Sequence, residues 1–262
     1  MTVSSLSLEE IKYAQGFVTE LALPEEHEYK LPMLETMRSF GERAIKDDAP
    51  AAAANAGSLV SFVGGLSQQN KEDVLNSTLL AQLAATKKYD RYKQTKEWYD
   101  FYIDVLANVG WVVPAFAFRG FTPTGSSFKM NDAVLQILSA IATSNEIAIL
   151  TATMNALEEN KDNENAVNLF DSQSFPETSG NFQILPVSQD RGDMVMALSA
   201  MQFNANKHVT NFLWWSWTTT EVKIFQSAQK AVLNNIIYSK VRQEIIDKLG
   251  DKAQKFIKDI EI

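Results

Sequence analysis

Two histidines, no cysteine and 32 scattered carboxylates limit the chemistry open to this chain of 262 residues. Without a thiol there is no disulfide, no thiolate metal site and no cysteine nucleophile. His27 stands in a Glu/Lys-rich stretch and His208 follows Lys207 in a turn-like segment, and both are expected to be solvated. A zinc site would need carboxylates and two unrelated histidines, because the H-E-x-x-H pattern is absent. The G-x-S-x-G, P-loop and G-x-G-x-x-G patterns are absent as well. The best polar candidates are Asp162, Glu164 and the run Asp171-Ser-Gln-Ser174. Two such carboxylates brought together could act as acid and base in a hydrolase. The plainer reading is a solvated loop with an Asx turn. The expectation is a protein without enzymatic activity, cofactor or metal.

The remaining candidates are apolar contact residues. Val209 to Thr220 carries three of the five tryptophans and no charge. At period two, Leu213, Trp215 and Trp217 alternate with Phe212 and Trp214, which predicts a central strand covered on both faces. Ala49 to Asn70 also lacks charge and reaches the length of a membrane span, about 20 residues. Its Gly57, Gly64, Gly65, Asn55, Ser58, Ser61, Gln68 and Gln69 weaken insertion, so a buried or mobile helix is expected there. Residues 133–145 and 147–157, separated by Glu146, are each too short to cross a bilayer and read as a buried helical hairpin. Leu59, Phe62, Val63, Trp214, Trp215 and Trp217 are therefore the candidate membrane or ligand contacts. Arg191-Gly192-Asp193 spells a tripeptide of cell-adhesion ligands and is a candidate receptor turn, although turn chemistry alone accounts for its Gly192.

Elements that could position these residues follow from caps and periodicity. Ser7 and Glu10 form a capping box before Ile11, Ala14, Phe17, Val18 and Leu21, a helix that ends before Pro24. A second helix is expected after Pro32 with Met33, Met37, Phe40 and Ala44 inward. A third is capped by Ser67 or Asn70, and a fourth carries Trp98, Tyr102 and Val105 up to Gly110. From Trp111 the pattern turns extended to Phe121 and over 128–130, joined by hairpin-like Thr-Pro-Thr-Gly-Ser-Ser. Residues 160–180 read as a polar loop. A meander is expected at 182–187, 194–203, 209–218 and 222–232, then a helix capped by Asn234 or Asn235 and a last short helix with Phe256. The sum is one α+β domain over 1–262. It has a mainly helical layer over 1–110, then a mostly antiparallel sheet over 111–262 with helices at 132–158 and 234–259.

The stretch Lys87-Lys-Tyr-Asp-Arg-Tyr-Lys-Gln-Thr-Lys-Glu-Trp-Tyr-Asp-Phe-Tyr102, Gly110-Trp-Val-Val113 and the ending from Val241 to Phe256 resemble bacterial insect-directed virulence proteins, the Erwinia virulence factor-like group. The resemblance implies an α/β protein acting in or on the insect gut without enzymatic activity. That group's lipid-modified cysteine has no counterpart here, and no site residue carries over. The expected function is a virulence or insecticidal protein that binds host cells and perturbs their membranes. Its partners would be a host-cell surface or membrane lipid, with self-assembly into a homo-oligomer. The alternative is a lipid or small-molecule carrier with a cavity behind the aromatic strand. A net charge of -8 argues against nucleic acid as a partner. The N-terminus lacks the basic and apolar regions of a secretory signal, so synthesis in the cytoplasm is expected, with release to act outside the cell. Asp48, Glu146 and Glu158 flank apolar segments, so acid is expected to favour membrane binding.

Overall fold

The computed structural model describes residues 8–28, 45–159 and 163–262. The expected helix after Pro32 and the cap residue Ser7 lie outside these residues. The chain order is α1 (Leu8–Glu20), β1 (Ala51–Asn55), β2 (Ser58–Phe62), α2 (Gln68–Lys88), α3 (Thr95–Asn108), β3 (Trp111–Val112), β4 (Arg119–Phe121) and β5 (Ser127–Lys129). It continues with α4 (Met130–Leu138), α5 (Ser144–Glu159), α6 (Glu164–Ser174), β6 (Ser179–Asp190), β7 (Asp193–Ala205), β8 (Ser216–Thr218) and β9 (Val222–Leu233). It closes with α7 (Asn235–Leu249), α8 (Lys252–Phe256) and β10 (Ile257–Ile260).

Long antiparallel ladders join β6 to β7 and β7 to β9 and form the middle of the main sheet. Its order is β10-β1-β2-β6-β7-β9-β3, with β4 also on β9, and all pairs are antiparallel except β2 with β6. The β6–β7 connection is a two-residue turn in which Arg191 and Gly192 both have positive φ, 52° and 95°. Those angles match the right-handed twist of the two strands. Pro186, which has no N–H to donate, coincides with the gap in the β6–β7 register between Ile184 and Val187. Helices cover both faces, and β6 shows the division. Asn181 and Gln183 meet Tyr99 of α3, whereas Phe182 packs on Phe170 of α6 and Ser188 bonds Glu146 of α5. The α+β class expected from the sequence is the one observed.

Four local expectations are corrected. Residues 51–62 form a fully buried β-hairpin where a helix was expected. Alanine favours helix by itself, but small side chains let this hairpin pass beneath packed helices, so tertiary packing overrides the propensity. Residues 209–220 are not a central strand: they form a turn-rich loop that ends in the three-residue β8, paired only with β5. Residues 164–174 are helix rather than loop, with Ala166, Leu169 and Phe170 buried among polar neighbours. The strands β4 and β5 do not pair with each other but with β9 and β8.

A buried guanidinium joins the helical layer to the sheet. Arg91, in the turn between α2 and α3, donates to the carbonyls of Asn181 (3.2 Å) and Gly57 (3.3 Å) and to the side-chain oxygens of Gln82 (3.0 Å) and Gln183 (3.2 Å). Its plane lies 4.6 Å from the Trp98 ring. Gln183 is held in turn by Ser58 Oγ at 2.7 Å and donates to the Tyr99 hydroxyl at 2.6 Å. Only glycine fits at 57, because a Cβ there would stand 2.4 Å from Arg91 Nη2 and 2.8 Å from the Gln173 carbonyl. A second tie is the bidentate pair of Arg242 on α7 with buried Asp73 on α2, at 2.8 and 2.7 Å.

Arg91→Ala leaves several buried acceptors short of a donor and should lower unfolding stability by about 3 kcal/mol. Arg91→Lys should recover little of it, since one ammonium cannot reach all four acceptors. Gly57→Ala should lose about 1–3 kcal/mol through overpacking. Urea midpoints of the three variants check these values.

Candidate functional site: an aromatic loop on the sheet

The loop between β7 and β8, residues 206–215, concentrates the candidate contact residues. It is anchored in a buried aromatic cluster. Phe212 packs against Phe170 (5.7 Å between centroids), Phe175 (5.6 Å), Phe182 (5.2 Å) and Phe203 (5.4 Å). Trp217 is buried and donates its indole N–H to the Phe212 carbonyl at 3.0 Å. Asn211 turns the chain with φ 55°, and its carbonyl accepts the backbone N–H groups of Trp214 (3.0 Å) and Trp215 (3.2 Å). The next two indoles differ in their surroundings. Trp214 is half-buried, and its N–H finds no acceptor among the described residues. Trp215 is 42% exposed, with Lys207 Nζ 5.4 Å from its ring.

Side chains hold the loop where strand pairing does not. Asp171 of α6 accepts the backbone N–H of Asn211 through Oδ2, and its Oδ1 is buried without a partner among the described residues. Burial pushes this carboxyl up to about 6, with the Asn211 N–H and His208 pulling it down. His208 stacks on Phe175, its Nε2 3.0 Å from the Phe175 carbonyl. Beside it in the chain Lys207 pairs with Glu221 at 2.9 Å. Glu221 is held down at about 2, chiefly by the Thr218 backbone N–H and next by Lys207.

The other candidates are placed differently. Leu59 and Phe62 of β2 are completely buried, and Val63 is half-buried with its N–H on the Val187 carbonyl at 3.1 Å. Arg191, Gly192 and Asp193 lie exposed at the β6–β7 turn, away from the loop in the chain's topology. Of the candidate carboxylates, Asp162 lies outside the described residues, and Glu164 is exposed about two helical turns from Asp171 on α6. His27 is exposed beside Glu25. Among the described residues no group of three or more His, Asp or Glu could hold a metal ion, and no helix is long and apolar enough to cross a membrane. A cleft of about 560 Å³ opens next to the loop, lined by Phe121, Pro123, Asn206, Glu221, Lys223 and Phe225 among others, and none of Trp214, Trp215 and Trp217 lines it. Sequence reasoning missed Asn211 and the role of Asp171. The polar run around Asp171 was the signal for the second, and nothing local marked the first.

A mixed sheet between helical layers, carrying an aromatic loop outside its ladders, defines an α+β protein. No family model and no curated protein matches the chain. Among solved structures it is similar to a delta-endotoxin, with 10% identity over 80% of this chain and 97% of that one and a TM-score of 0.43. It is also similar to the activated Cyt2Ba monomer from Bacillus thuringiensis subsp. israelensis, with 13% identity over 68% and 97% and a TM-score of 0.39. A third similarity is to the Evf virulence factor, with 12% identity over 81% and 85% and a TM-score of 0.34. The third of these bears the name of the group that the sequence resembles.

Iodide quenching checks the placement of the indoles. Trp215→Phe should remove most of the quenchable emission while changing stability by less than about 0.5 kcal/mol, as expected of a surface side chain.

Proposed function

We propose that the protein is a non-enzymatic, toxin-like virulence protein that binds the surface of host cells and perturbs their membranes, with the loop 206–215 making the lipid contact. The observation that carries this reading is Trp215, exposed beside half-buried Trp214 and next to Lys207. Indoles with an apolar body and a free polar edge favour the headgroup level of a bilayer. Residues 206–217 contain no carboxylate, so a protein of net charge -8 presents here a segment that anionic headgroups do not repel. Self-assembly on the membrane is part of the proposal, and nucleic acid is not a partner. This reading assigns the lipid contact to the loop and not to Leu59 and Phe62, because those two side chains reach lipid only if β2 leaves its ladders with β1 and β6. The cleft beside Phe121 and Phe225 favours a second reading, a carrier of a small amphiphile.

The test is dye release and binding with liposomes across pH, with the assembly state followed in parallel. Trp214→Ser combined with Trp215→Ser should keep the circular dichroism spectrum and weaken vesicle binding by about tenfold or more, the loss expected when interfacial indoles worth about 1.4 kcal/mol are removed. Phe62→Glu should instead unfold the protein. Equal binding by the double variant sinks the loop reading. A fluorescence response to monomeric fatty acid, with none to vesicles, favours the carrier.

A further inference from the structure

The loop that carries Trp214 and Trp215 is tied down at several points, among them the Asn206 N–H on the Glu221 carbonyl, the Leu213 carbonyl on the Asn131 N–H, and His208 beside the Phe175 carbonyl, and one of its ties joins a backbone N–H to a carboxylate. The Asn211 N–H is donated to Asp171, and the Asn211 carbonyl in turn receives the N–H groups of both tryptophans. Asn211 holds φ 55°, the left-handed conformation that asparagine adopts more readily than other non-glycine residues and that turns the chain here. Next to Asp171 in the chain, Phe170 of α6 stacks on Phe212 of the loop and packs on Phe182 of β6. The titratable group acting on Asp171 from the loop is His208, while on α6 the nearest acidic side chain toward the N-terminus, Glu164, is exposed and about two turns away.

We propose that Asp171 is a proton-linked latch: the protonated carboxyl keeps the loop 206–215 seated against α6, and ionisation loosens it and frees Trp214 and Trp215. A neutral carboxyl still accepts the Asn211 N–H and is cheap to bury. An ionised one leaves a full charge on a half-buried side chain with one hydrogen bond and a buried, unpartnered Oδ1. Burial raises the group from its ordinary 3.8 to about 6. A carboxyl raised on folding gives stability that is complete below the ordinary value and lost as pH climbs through the raised one. The closed loop is therefore firmest in acid and slackens above about pH 6, which can enlarge its opening equilibrium by up to about a hundredfold. This sign is opposite to the acid trigger expected from Asp48, Glu146 and Glu158. The consequence for membrane contact rests on the function proposed above; the latch does not.

The experiment reads iodide quenching of tryptophan and amide exchange at 209–215 in lipid-free protein from about pH 4.5 to about pH 8. The wild type should show quenching and exchange rising with a midpoint near 6, and Asp171→Asn should stay closed and flat across the range. His208→Gln, which removes the partner that favours the carboxylate, should shift the midpoint upward. A flat wild type overturns the latch, as does an unchanged midpoint in Asp171→Asn. Should Asp171→Asn not fold, an upward shift in His208→Gln supports the latch, and an unchanged or lost transition overturns it. If the latch operates but vesicles bind at no pH, the membrane reading fails while the latch stands. If vesicles bind while the lipid-free transition is missing, the reverse holds.

Discussion

The arrangement of this protein depends on a guanidinium buried with no carboxylate among its described partners. Arg91 is satisfied only by carbonyl and amide oxygens and by the face of Trp98. Such acceptors neutralise a cation only if several are held at once in fixed positions. That requirement brings four elements to one point: the β1–β2 turn through Gly57, β6 through Asn181 and Gln183, α2 through Gln82, and α3 through Trp98. It also accounts for the one parallel pairing in the main sheet, β2 on β6, which sets Ser58 beside Gln183. With these groups in place the helical layer cannot shift without stranding several buried polar atoms together. Lys71 repeats the principle on α2, donating its ammonium to the carbonyls of Lys46 and Ala49, with its pKa lowered by desolvation.

The loop 206–215 is built by the opposite rule. It has no place in the main ladders and is held by scattered bonds, among them Asp171 to the Asn211 N–H, Trp217 to the Phe212 carbonyl and the Asn131 N–H to the Leu213 carbonyl, above packed phenylalanine rings. Segments fastened this way open at a fraction of the cost of global unfolding, and binding surfaces are drawn from them. The apolar strand β2, which by composition alone looks as suited to lipid, sits where every backbone group is spent on β1 and β6. Glu146 illustrates the same division among the carboxylates. It is 1% exposed, and it accepts the Thr143 N–H and the Ser188 hydroxyl. It is thus part of the seam between α5 and β6, whereas Asp171 stands at a joint that can part.

Much of the frame was legible in the sequence because it rests on contacts within a few residues. Ser67 caps α2 through the Asn70 N–H, Asn234 caps α7 through Ile236 and Ile237, and Arg191-Gly192 makes the β6–β7 turn. The alternating apolar runs of β6, β7 and β9 and the stop at Gly110 are equally local. Composition likewise excluded thiol chemistry and argued against a nucleic-acid partner. Tertiary structure alone decided the rest. The alanines at 51–54 became strand because their partner β10 comes from the far end of the chain, and β10 itself follows a segment that reads as helix to its end. The run from Phe212 to Trp217 alternates like a central strand, yet its apolar side chains are satisfied by a cluster drawn from α6, β6 and β7, and its backbone by a carboxylate forty positions earlier. Periodicity reports that a side chain will be buried, and the identity of what buries it is fixed by neighbours that lie close only once the chain has folded.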